Sequence, residues 1–149
     1  MTALSEDLFV QIKEDLTRHE GCKTTVYLCT ESIPTAGIGH ALFGLEEMAV
    51  GDEVSMEQVL EWFKEDCDTA VKDCCAIFLN FASLPDQVKR VLVNMAFNIG
   101  RPRLSKFKNM ITAVNEGNWV KAADEMVDSR WYNQVGNRSV ELENWMRNV

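Results

Sequence analysis

Glu20, Cys29 and Thr35 bring a carboxyl, a thiol and a hydroxyl close together in the chain, with eight residues between the first two and five between the last two. An acid and a second polar group flanking a cleft are what glycoside hydrolysis needs: a protonated carboxyl beside the leaving oxygen, and a partner that places a water or attacks the anomeric carbon. The thiol is the weaker member of this set, because with a reference pKa of about 8.5 it is a poor hydrogen-bond acceptor and mostly protonated at neutral pH. Three roles stay open for that second position: Cys29 as nucleophile or water-positioner, Glu31 as a substitute base, or no catalytic part at all. A glutamate just past a helix end is more often solvated and inert than catalytic, so an inert Glu20 stands beside the acid reading at this point. Cys29 and His40 are also the pair a cysteine peptidase would use. Against that, an activated thiol usually sits at a helix N-terminus or beside a positioned base, and Cys29 is expected at a strand end.

The elements around these residues show how they could meet. Leu4, Leu8, Phe9, Ile12 and Leu16 recur at helical spacing behind Ser5, a candidate N-cap, with Glu6 and Asp7 in the first turn, which predicts a helix over 5–19 ending just before Glu20 and Gly21. From Thr24 the pattern alternates and β-branched and aromatic residues are frequent, the signature of a strand. A turn at Thr30-Glu31-Ser32 and a return strand from Ile33 to His40 complete a hairpin, folded back so that Cys29 and Thr35 could approach Glu20. Residues 41–54, with Gly44 and Gly51, read as loop. Ser55 with Gln58 forms a capping box, and an apolar stripe through Val59, Phe63, Cys67, Ala70 and Cys74 predicts one long helix over about 55–80. Ser83 with Asp86 starts another helix that Gly100 should stop, and shorter helices are expected at 105–115, 118–127 and 137–147. The fold class is therefore α+β, mostly α, in a single domain: a β lobe over about 21–54, a long helix, and a helical lobe over about 83–149.

Composition narrows the function classes. The 149 residues carry a formal charge of −8, which argues against nucleic-acid binding, since phosphate contacts need clustered cations. The charge is uneven. Residues 1–84 hold five Lys/Arg against sixteen Asp/Glu, whereas residues 85–149 hold ten against seven. The densest basic stretch, Arg101 to Lys108, reads either as a solvated loop or as an attractor of an anionic polymer. Five cysteines and two histidines form no zinc-ligand spacing, and reduced thiols in a cytoplasmic product are expected. Neither a secretory leader nor an apolar run long enough to span a membrane is expected. Cys67 and Cys74 should be buried, with Cys75 off their stripe; Trp62, Trp119 and Trp145 should lie in the core or at its margin.

His19-Glu20-Gly21, Thr35-Ala36-Gly37-Ile38-Gly39-His40, Asn94-Met95-Ala96-Phe97-Asn98-Ile99-Gly100, Ser129-Arg130-Trp131-Tyr132-Asn133-Gln134 and Asn137-Arg138 follow one another along the chain. In these motifs the chain resembles the phage-type lysozymes, the glycoside hydrolase family of phage muramidases and endolysins. The family pattern of a glutamate, eight residues, usually an aspartate, five residues and a threonine is met by Glu20, Cys29 and Thr35, with cysteine in the aspartate's place.

The resemblance implies a lysozyme-like fold whose cleft takes the alternating N-acetylmuramic acid and N-acetylglucosamine of peptidoglycan, with no metal and no organic cofactor. It implies that Glu20 protonates the glycosidic oxygen, that Thr35 orients water or sugar, and that Arg138 pairs with the catalytic glutamate. Gly39, Phe97, Asn98 and Trp131 take substrate-binding or supporting roles, Trp131 foremost as a buried anchor, and His40 with Asp66 forms a structural pair. A monomer without membrane insertion is expected, made in the host bacterial cytoplasm and released to the cell wall through a lesion supplied by a holin. Two alternatives remain: a lytic transglycosylase acting on the same bond, and a non-catalytic glycan-binding relative.

Overall fold

Ser5 opens the first helix as expected, its Oγ accepting the Leu8 N–H at 3.1 Å. A computed structural model describes residues 3–42 and 48–149; of the loop expected over 41–54, Ala41 instead belongs to a strand and Glu53 makes an isolated β-bridge, the other described positions are loop, and Gly44 lies outside the described residues. Among the described residues the fold is mostly helical α+β. Helix α1 (Glu6–Glu20) leads into strands β1 (Lys23–Leu28), β2 (Pro34–Gly37) and β3 (His40–Ala41). Helices α2 (Met56–Ile77), α3 (Asp86–Leu104), α4 (Lys108–Asn115), α5 (Trp119–Val127), α6 (Arg130–Val135) and α7 (Asn137–Arg147) follow. The chain divides into two compact units, Lys13–Asp68 and Met1–Ile12 with Thr69–Val149.

In the first unit the sheet is antiparallel in the order β1-β2-β3, with Tyr27 opposite Thr35, Leu28 opposite Pro34 and Ala36 opposite His40. The single return strand expected over Ile33 to His40 is in fact two strands. Gly37 and Gly39 adopt φ of 65° and 66°, which only glycine takes without strain, and they turn the chain sharply through Ile38 before it re-enters the sheet. Beyond the sheet, an isolated bridge joins Thr25 to Glu53. Val26, Ala36, Ile38, Val54, Val59, Trp62, Phe63 and Cys67 are buried and form the apolar centre of this unit. Ser55 caps α2 through the Gln58 N–H at 3.1 Å.

The second unit is built around α3. Val91 to Ala96 are consecutively buried, so this helix is covered on every side, as a core helix must be. Helix α5 packs on α4 and α7, and α3 also packs on α7. Ser83 does not cap α3. It closes a 3₁₀ turn at Phe81–Ser83, after Asn80 in a left-handed conformation, and Pro85 occupies the cap position without a side-chain bond. Gly100 breaks the helix as expected, with φ 78° and ψ 166°, but a further turn follows, which Pro102 can open because a first-turn residue needs no N–H partner. The basic stretch is thus partly helical rather than plain loop, and α4 begins only at Lys108. Helix α6 was not foreseen; Ser129 caps it by accepting the Tyr132 N–H at 3.2 Å. Cys67 and Cys74 are buried and Cys75 is exposed, as the stripe predicts. Trp62 is buried, while Trp119 and Trp145 are half-buried.

Candidate active site

Glu20 is the last residue of α1. Gly21 follows with φ 79°, its N–H donating to the Thr17 carbonyl at 2.9 Å, a left-handed C-terminal cap that turns the chain out of the helix into β1. The Glu20 carboxyl lies directly against the backbone of Gly39. A Cβ added there would fall 2.7 Å from Glu20 Oε1 and 3.1 Å from its Cδ and would displace the carboxyl, and the positive φ of Gly39 strains any residue with a side chain.

Cys29 stands at the end of β1, half-buried, where the hairpin turns. Its N–H donates to the Ile33 carbonyl at 3.0 Å, its carbonyl accepts the Ser32 N–H at 2.8 Å, and the Glu31 N–H donates to its sulfur at 3.4 Å. This last bond is the one an aspartate makes to the backbone two residues on, with sulfur in the place of a carboxylate oxygen. The Ile33 and Glu31 backbone groups hold the thiol below its ordinary pKa; burial opposes them, the Thr35 hydroxyl adds to the lowering, and the Glu31 carboxylate works against it. Thr35 is buried and donates to the Ile33 carbonyl at 2.8 Å. Glu31 is exposed on the turn.

Sequence reasoning passed over Tyr27, which it treated only as one of the alternating strand residues. Burial raises the phenol's pKa first, and the negative charges of Glu20 and then Cys29 add to it. Its position two residues before Cys29 was a readable signal. Also in this unit, His40 Nδ1 and Asp66 Oδ2 are 2.7 Å apart, and the imidazole stacks on Trp62 at 4.4 Å between centroids and 12° between planes. A carboxylate can only accept, so Nδ1 carries the proton of this bond. Trp62 was expected in the core, but its stacking on His40 was not.

The helical unit holds a separate group. Trp131 is buried, donates its indole N–H to Asn98 Oδ1 at 2.8 Å, and meets Phe107 edge-on at 6.2 Å, which suits an anchor better than a sugar platform. Arg138 is half-buried and donates through Nε to Asn94 Oδ1 at 2.9 Å. Phe97 is half-buried on α3. A pocket of about 580 Å³ in the same unit is lined in part by Arg103, Lys106, Lys108 and Arg130, facing Glu125 and Asp128.

Residues 17–146 match the family model described as Phage lysozyme. The chain belongs to the phage lysozyme family. It is 30% identical over 151 residues to a probable T4-type lysozyme of Dictyostelium discoideum, covering 86% of this chain and 88% of that protein. It is also 30% identical to the pre-baseplate central spike protein Gp5 of Enterobacteria phage T4, where the match covers 87% of this chain and 26% of the spike protein. A third relative, the peptidoglycan hydrolase gp36 of Pseudomonas phage phiKMV, is 28% identical over 136 residues; the match covers 91% of this chain and 15% of gp36. The chain thus spans nearly all of one relative and only a fraction of the other two. The family match begins within α1 and ends within α7, so it takes in both the Glu20–Gly39 contact and the Trp131–Asn98 pair. Among the described residues, no helix of this phage lysozyme family member is long and apolar enough to cross a membrane, and no group of three or more His, Cys, Asp and Glu residues is arranged to hold a metal ion.

Proposed function

We propose that this protein degrades peptidoglycan as a muramidase, hydrolysing the β-1,4 bond between N-acetylmuramic acid and N-acetylglucosamine with Glu20 as general acid and Cys29 and Thr35 serving the other half of the reaction. The observation that carries the residue assignment is the hairpin turn at Cys29, where backbone N–H groups and the Thr35 hydroxyl favour negative charge on sulfur. A thiolate can do what a neutral thiol cannot: attack an anomeric carbon or accept a proton from water. Family membership and relatives named lysozyme and peptidoglycan hydrolase support the substrate class.

In the forward step Glu20 passes its proton to the glycosidic oxygen as the bond from that oxygen to the anomeric carbon breaks. If the Cys29 thiolate attacks that carbon, a glycosyl thioether forms. Water then displaces the sulfur, Glu20 takes the water's proton, and configuration is retained. If a water steadied by Thr35 attacks directly, its proton goes to the thiolate and the product is inverted. The Gly39 backbone limits where the carboxyl can sit, and the Asn98–Trp131 and Arg138–Asn94 pairs brace supporting side chains of the helical unit. His40 with Asp66 ties the sheet to α2 as a structural pair. The protein acts as a monomer without a cofactor, is made in the host cytoplasm, and reaches the wall through a holin-type lesion.

The decisive variant is Glu20→Gln, which keeps the shape but has no proton to give. Loss of clearing of cell-wall suspensions by about 10²–10⁴-fold, with the melting temperature preserved, is expected. A variant keeping more than about a tenth of wild-type activity would remove Glu20 from the acid role. Mass spectrometry of the released muropeptides separates hydrolysis from transglycosylation, since only the latter leaves an anhydro sugar.

A further inference from the structure

The turn between β2 and β3 lies on one face of α2. Val59, Trp62 and Asp66 are spaced three and four residues apart, which brings their side chains into one row along the helix. Each of them meets the turn or its flanks. A Cβ added at Gly37 would fall 3.4 and 3.5 Å from the two Val59 methyls and 3.7 Å from Trp62 Cε3. At the other end the indole stacks on the His40 imidazole at 4.4 Å and 12°, while Asp66 Oδ2 meets the edge of the same ring at 2.7 Å. Trp62 thus lies against both ends of the turn, and at 6% exposure it is closed off from solvent. These residues and Glu20 all belong to the first unit.

We infer that Trp62 is a positioning residue for Glu20, acting through the turn: the indole holds Gly37 and His40, and these fix the Gly39 backbone against which the carboxyl rests. The inference rests on the muramidase reading above and adds a residue to it. The turn needs such a brace. Gly37 and Gly39 stand at φ 65° and 66°, and glycine gives up more backbone freedom than any other residue when one conformation is held. The ladder pairs Ala36 with His40 and leaves the residues between them outside it. Burial of Ile38 anchors the tip, while the indole holds the two ends. The fit to Glu20 is close: the Cβ position of Gly39 is 2.7 Å from Oε1 and 3.2 Å from the Glu20 Cβ, so a turn that moves towards α1 displaces the carboxyl and one that moves away removes its support. A proton donor misplaced by about 1 Å costs about 10²-fold in rate.

The test compares Trp62→Leu, which keeps an apolar side chain without a flat face, with Trp62→Phe, which keeps a ring for His40. Two readouts follow: lysis kinetics on soluble peptidoglycan fragments, and the nuclear Overhauser contact between the Gly39 Hα and Glu20 Hβ protons. In Trp62→Leu kcat should fall by on the order of ten- to a hundredfold and the Overhauser contact should weaken. KM should change little, because the lost interaction acts on the reacting group and not on substrate binding. Trp62→Phe should recover part of both. A leucine variant with a lower melting temperature but wild-type kcat and contact overturns the inference, since the stack would then be structural only. So does a fall in kcat with the contact intact, a lost contact with kcat unchanged, or a phenylalanine variant as impaired as the leucine one. Should Trp62→Leu fail to fold, backbone nitrogen relaxation of the wild-type protein decides. Ile38, Gly39 and His40 should be as rigid as a strand, with order parameters of about 0.85, and values below about 0.6 overturn the inference. The Overhauser and relaxation readouts need no turnover, so an active Glu20→Gln would sink the muramidase mechanism without being mistaken for a failure at Trp62.

Discussion

Gly39 shows how one missing side chain shapes the site. Its φ of 66° disfavours any other residue, and a Cβ would fall 2.7 Å from Glu20 Oε1, so the Glu20 side chain would have to move aside. Gly39→Ala should therefore cost on the order of 1–2 kcal/mol in urea unfolding and displace the carboxyl. A placement error of that kind lowers lysis by about 10²-fold, and a Gly39→Ala enzyme with near-normal activity would show that Glu20 has no need of this contact. Cys29 offers a test of a different sort. Its folded thiol titrates below its unfolded value, so ionisation favours the folded chain; that contribution is full above the unfolded pKa and is lost as pH falls through the folded one. The melting temperature of wild type relative to Cys29→Ser should thus rise from mildly acidic to mildly alkaline pH. A difference that stays flat, or shrinks, would mean the turn does not favour the thiolate.

The hairpin and α2 meet at His40. The 2.7 Å bond to Asp66 is partly screened, with the two side chains 13% and 32% exposed, so its worth is discounted from that of a buried charged hydrogen bond to about 1–2 kcal/mol. The stack on Trp62 adds contact that an asparagine cannot replace. His40→Asn should lower the melting temperature by about 3–6 °C, read by circular dichroism at neutral pH. An unchanged melt would mean that neither the bond nor the stack contributes to holding β3 on α2. In the helical unit an analogous role falls to Arg147, which bonds the buried Glu143 at 2.7 Å and Asp124 at 2.9 Å and so ties α7 to α5.

Across the molecule, burial is concentrated in α3. Six consecutive residues from Val91 to Ala96 are shielded, whereas the sheet is made of short strands with exposed positions at Lys23, Thr24, Thr25 and Leu28. Opening α3 requires breaking the centre of its unit, while the sheet can open locally. Native-state hydrogen exchange should therefore find the slowest amides at 91–96, governed by global unfolding, and faster ones in β1 and β3. Sheet amides as slow as those of α3 would show that the two units unfold together. The net charge of −8 is likewise a whole-molecule property, and the four cations at the pocket of the helical unit are a local exception to it.

What the sequence determined by itself was mostly local. The Ser5 and Ser55 caps, the stop at Gly21, the break at Gly100 and the buried stripe through Cys67 and Cys74 depend on contacts within a turn or two of helix, and residue type decides these. The candidate set of Glu20, Cys29 and Thr35 was legible too, as types and spacing that a hairpin could gather. Where local signals competed, the sequence was ambiguous. Ser83 looked like a cap as much as Ser55 did, but the 3₁₀ turn took it, and the aromatic motif hid the short helix that Ser129 starts. Only the tertiary structure decided that Gly39 touches Glu20, that the return strand divides in two, that Tyr27 stands opposite Thr35, and that His40 stacks on Trp62. Each of these depends on register or on packing between residues far apart in the chain. A shift of one residue in the hairpin would turn Tyr27 and Thr35 to the opposite face, and no local preference in the strand itself prevents it. The register comes instead from burying Val26 and Ala36 together in the core of the unit.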